Sequence, residues 1–125
     1  MASRNFSRVQ GLNKELKIIA GSFSIAASGG AATKLTGLGY TVAKSTTGEY
    51  TITLADKYNA LISGTATVQA ATPVNLHAQI DSHDVTAATP TVVINLVAVA
   101  TPTEPSAVTV VNFTFILQNS SLPSV

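Results

Sequence analysis

The sequence predicts an all-β fold built as an antiparallel sandwich or barrel. Three observations predict it. Apolar residues alternate with Thr, Ser and Ala at period two over several short stretches, and no stretch carries the periodicity of an amphipathic helix. Turn residues also break the chain at short, regular intervals. The 125 residues make one domain the natural unit. A chain of this size buries roughly two-thirds of its unfolded surface, enough for a core without covalent staples. The sequence has no Cys, so disulfides and thiolate metal sites are excluded.

Residues 1–14 read as an N-terminal arm, and residues 15–125 as the β domain. The arm is polar, with Arg4 and Arg8 among scattered apolar residues, Phe6, Val9 and Leu12. Those five are the candidate contacts to a partner or a neighbouring subunit. An arm without periodicity orders only when a partner ties it down.

From residue 15 the pattern turns to strand. Leu16, Ile18 and Ala20 alternate with their neighbours, and Gly21 predicts a bend or bulge. Residues 28–32 read as a loop. Tyr40 and Val42, then Tyr50, Ile52 and Leu54, form two period-two runs around a short turn. They predict a hairpin with Gly48 supplying a positive φ, its Tyr, Ile and Leu facing the core and its Thr facing out. Residues 56–59 read as a turn, and 60–70 as a strand with Gly64 at a bulge. Residues 76–80 read as a short strand, and 91–100 as a long strand buried on both sides. Pro102 and Pro105 mark a loop. In the last strand, 108–118, Val111, Phe113, Phe115 and Leu117 share one face, while Val110 and Ile116 make the other partly apolar. About seven or eight strands result. Apolar residues on both faces of the last one predict that its outer face meets another subunit.

Charged residues are 10% of the chain, where about 25% is usual. A surface of Thr, Ser, Asn and Gln suits an assembly better than a free monomer, which charge keeps apart from its neighbours. All seven basic residues lie within the first 57 positions. They are spread out, not gathered into the basic face of a nucleic-acid binder. No stretch reads as a signal peptide or a membrane span, so synthesis in the cytoplasm is expected.

The one group of catalytic-type residues is residues 77–84. An unbroken strand there would put His77, Gln79, Asp81 and His83 on one face, a potential metal site; the alternative is a polar strand end and turn. No G-x-S-x-G or P-loop is present, and Gly37-Leu38-Gly39 reads as a turn. Tyr58, Asn59 and Asn75 are the only candidates for a carbohydrate site. The sequence therefore predicts no enzyme, no metal and no cofactor.

Three segments carry a resemblance: residues 15–23 (ELKIIAGSF), 48–54 (GEYTITL) with Asp56-Lys57-Tyr58, and 113–121 (FTFILQNSS). Together they resemble small virion proteins of tailed bacteriophages, of the head-decoration or cement type, over most of residues 15–121. The 48–54 pattern is also similar to that of trimeric jelly-roll modules. The resemblance implies a jelly-roll-like β-sandwich that forms a homotrimer on the virion capsid surface, with the major capsid protein as partner and with no nucleic acid or membrane. It brings no catalytic residues. The alternative function is a tail- or fibre-associated module recognising a host glycan.

Overall fold

The computed structural model describes residues 16–118, all of them strands, turns and loops. The order is β1 (Leu16–Ile25), β2 (Ala32–Thr36), β3 (Tyr40–Thr46), β4 (Glu49–Leu54), β5 (Ala60–Ala70), β6 (His77–Asp84), β7 (Thr91–Ala98), β8 (Thr101–Pro102) and β9 (Thr109–Gln118). Two antiparallel sheets pack as a sandwich, as the period-two pattern predicts. The first sheet runs β2-β1-β9-β5 and the second β3-β4-β7-β6, with β8 paired to β7. The chain passes between sheets after β2, β4, β5 and β8, so neither sheet is a simple meander.

The two most apolar strands occupy the middle of the two sheets. β9 lies between β1 and β5, and β7 between β4 and β6. On the core side of β9, Val111, Phe113, Phe115 and Leu117 are all buried, as are Val92, Ile94 and Leu96 on β7. The 40–54 hairpin forms as expected. Tyr40 pairs with Leu54 and Val42 with Ile52, and Gly48 takes φ 68°. Tyr50, Ile52 and Leu54 face the core.

The two open seams of the sandwich are closed by side chains of the second sheet reaching over glycines of the first. At one seam the Tyr40 hydroxyl lies 3.0 Å from the Ser22 carbonyl and 2.5 Å from that of Thr36, donating to them. A Cβ on Gly21 would stand 2.5 Å from that hydroxyl oxygen. At the other seam a Cβ on Gly64 would stand 2.5 Å from Ile80 Cδ1.

A bend or bulge was expected near Gly21 and a bulge at Gly64; the first lies one residue on and the second is displaced. Gly21 pairs in unbroken register with Phe113, and the irregularity lies beside it, between Ser22 and Phe23 against β2. The β5 bulge falls between Leu61 and Ser63, not at Gly64. Each glycine answers a cross-sheet steric demand, to which local pattern is blind.

Other boundaries also move. β2, unanticipated in the sequence, starts at Ala32 within the expected loop. β6 runs on to Asp84, and β7 stops at Ala98 because Val99 and Ala100 turn with φ 48° and 63°. Pro102 belongs to a two-residue edge strand opposite Val97, where a missing N–H costs no ladder bond.

Candidate functional site

The candidate contacts Arg4, Phe6, Arg8, Val9 and Leu12 lie outside the described residues. The other candidates can be placed. In the 77–84 group the strand continues as the metal reading requires, yet its phase changes. A bulge between Ile80 and Ser82 leaves His77 opposite Val97 and His83 opposite the core-facing Val92. His77 and Gln79 therefore share the outer face with Ser82 and Asp84, and His83 lies on the other side. Among the described residues no three His, Asp or Glu side chains converge on a point that could hold a metal ion.

Of the carbohydrate candidates, Tyr58 is buried in the core and its N–H donates to the Val85 carbonyl at 2.8 Å. Asn59 is exposed, at the end of the sandwich that also carries the Gly37-Leu38-Gly39 turn between β2 and β3. Asn75 sits at the opposite end. There it lines an open cleft of about 340 Å3 with Val74, Ala98, Glu104, Pro105 and Thr109.

Beside that cleft lies a polar tie absent from the sequence reading. Lys44 forms an ion pair with Glu104, and its Nζ donates to the Gly29 carbonyl at 2.7 Å. The tie joins the β1–β2 turn, the end of β3 and the loop before β9. Lys44 and Glu104 stand sixty positions apart, so no local spacing could announce it. Tyr50 is fully buried nearby. Its pKa is pushed up to about 12, first by burial and then by the Glu104 carboxylate. Tyr50 therefore stays protonated at neutral pH and offers no base or nucleophile there.

The outward strand positions form the two broad faces of the sandwich, with Ser22, Gln118 and Asn95 among them buried. On the first sheet they are Leu16, Ile18, Ala20, Ser22 and Ser24 of β1, then Val110, Asn112, Thr114, Ile116 and Gln118 of β9. β5 adds Ala60, Ser63, Thr65, Thr67 and Gln69, and β2 adds Thr33 and Thr36. None is charged. The two lysines on these strands, Lys17 and Lys34, pair with core-facing Leu117 and Phe23. Lys34 accordingly turns inward over the Tyr40 ring, 4.5 Å from its centroid, and donates to the Tyr40 carbonyl at 3.1 Å. The second sheet presents Thr41, Ala43, Thr51, Thr53, Val93 and Asn95, but also Glu49 and, past the bulge, Asp84.

Comparison of the chain with protein-family models, curated proteins and solved structures returned no match. Among the described residues no helix is long and apolar enough to cross a membrane.

Proposed function

We propose that the chain is a structural virion protein: a homotrimeric capsid decoration or cement protein that binds the outside of a phage head and stabilises the major-capsid lattice. The observation that carries this reading is the chemistry of the strand surfaces. Outward positions on both sheets are mostly Thr, Ser, Ala, Asn, Gln and aliphatic residues, with His77 and a few acids confined to the second sheet. That surface suits burial against other subunits, where each exposed charge would cost desolvation. The bacteriophage resemblance of residues 15–121 points the same way. With Tyr58 in the core, the alternative glycan-binding reading has no aromatic platform on the loops among the described residues.

The mechanism follows from mass action. A protein that binds the assembled shell and not its free subunits stabilises the shell by RT ln(1 + [L]/Kd) at each site. The lattice holds many copies at fixed spacing, so modest contacts add up. The test is to mix purified protein with heads lacking it and count bound copies by cryo-electron microscopy. Regular density at lattice symmetry positions, with raised thermal stability of the head, is the expected result. Absence of density from the shell would end this reading.

A further inference from the structure

We infer that the outer face of the first sheet is the surface on which this chain meets other copies of itself. This rests on the assembly reading and deepens it by naming the face. Three observations carry it. First, the face presents aliphatic side chains to solvent. Ile18 and Ile116 are cross-strand partners, and Ile62, at the β5 bulge, lies next to Ser63, the other partner of Ile116. Ile18 is 46% and Ile62 43% exposed.

Second, the face carries no charge on any of its four strands. A partner recognised by charge would need a complementary charge here. A copy of the same chain needs the reverse, because near a rotation axis each side chain meets its own counterpart and a charge would meet its like. Thr, Ser, Asn and Gln each donate and accept hydrogen bonds, so they can pair with their own kind. Asn112 Nδ2 already donates to Gln69 Oε1 across β9 and β5 at 3.2 Å. The acid-bearing second sheet lacks this self-complementarity.

Third, the area is sufficient. Three strands of ten or eleven residues and one of five, at about 3.4 Å per residue and spaced about 4.8 Å apart, cover roughly 600 Å2 in projection. That is of the same order as the ~800 Å2 that each partner contributes to a standard interface.

The test is the oligomeric state of the full chain by sedimentation equilibrium over a wide concentration range, with Thr114→Lys as the central probe. Thr114 is exposed in the middle of the face, between Ala20 and Thr65. Thr65→Lys, exposed on the same face, is the second probe, and Thr41→Lys on the second sheet is the control. The expected result is an oligomer whose self-association weakens at least ~100-fold in both probes, since each buries an unpaired ammonium, and is unchanged in the control. A wild-type chain that stays monomeric overturns the inference, as do probes that assemble like wild type or a control that dissociates as far as they do. A monomer that begins to associate when Phe6, Val9 and Leu12 are changed to Ser also overturns it, because the chain's own arm then covers the face. Binding to heads is measured in parallel. A wild-type monomer that still decorates heads refutes this interface and leaves the virion reading standing.

Discussion

The two sheets solve the same packing problem with different residues. In the first, the core is built from rings set beside small neighbours. Phe113 lies between Gly21 and Ala66, and Phe115 between Ile19 and Gly64. The two rings stack 4.7 Å apart, and Tyr40 meets Phe113 edge-on at 4.9 Å. In the second sheet, aliphatic residues of β7 fill the space, with Ile94 between Tyr50 and Ile80 and Leu96 opposite Ala78. Rings need lateral room, and glycine supplies it; the same glycines then admit Tyr40 and Ile80 at the seams. The first sheet is therefore the one where adding or removing a few atoms matters most. It is also the one whose outside is free of charge.

The sharpest way to break this comparison is to truncate a core residue in each sheet. Phe115→Ala is expected to lower unfolding free energy by about 4 kcal/mol, and Ile94→Val by about 1 kcal/mol. Denaturant unfolding measures both; equal losses would show that the rings hold no special place.

Next come the seams. Gly21→Ala and Gly64→Ala are each expected to cost about 2 kcal/mol through overpacking. They should differ in rescue. The new Cβ at Gly64 meets the Ile80 Cδ1 methyl, which Ile80→Val removes, so the double variant is expected to recover more than half the loss. The one at Gly21 also meets the Thr36 backbone oxygen at 2.7 Å, which no side-chain change relieves.

Alkaline pH tests the second sheet. Tyr50 ionises at about 12 in the folded chain against 10.0 ordinarily. Below pH 10 both states carry the neutral phenol and stability is whole. Above it the unfolded chain ionises first, so stability falls by about 2 kcal/mol as pH rises toward 12. Burial also raises the pKa values of Tyr40 and Tyr58. Tyr50→Phe is therefore expected to remove the largest part of the drop, read as urea midpoints against pH, and not all of it.

Smaller effects belong to the loop end. Lys44→Met removes the ion pair with Glu104 and the bond to Gly29, with an expected loss of about 1 kcal/mol that shrinks in high salt. The β7–β8 turn places Val99, a β-branched residue, at positive φ. Replacing Val99-Ala100 with Asn-Gly is expected to stabilise the chain by about 0.5 kcal/mol, measured as a rise in Tm.

The residues that announced the fold are those whose role is set by their immediate neighbours. The alternation Tyr50-Ile52-Leu54 against Thr51 and Thr53 specifies a half-buried strand wherever it lies, and Gly48 marks its turn because few other residues accept that φ. The apolar runs of β7 and β9 announced strands with apolar residues on both faces, but their place in the middle of each sheet is set by pairing with distant strands. β2 escaped notice because Thr33, Lys34 and Leu35 carry no alternation; it is held by pairing with β1 and by the inward turn of Lys34.

The sequence by itself thus determined an all-β fold of the sandwich or barrel kind, its hairpin, its core aromatics and a surface poor in charge, and the tertiary structure decided for two separate sheets. Only the tertiary structure decided what Gly21 and Gly64 are for, because their constraint comes from Tyr40 and Ile80 on the opposite sheet. It alone separated His77 from His83, since a one-residue bulge reverses every side chain beyond it. And it alone gathered the uncharged positions of four strands, scattered between residues 16 and 118, onto one face. Strand order and register do that gathering, and they are properties of how distant segments pair, which period-two alternation within one segment does not encode.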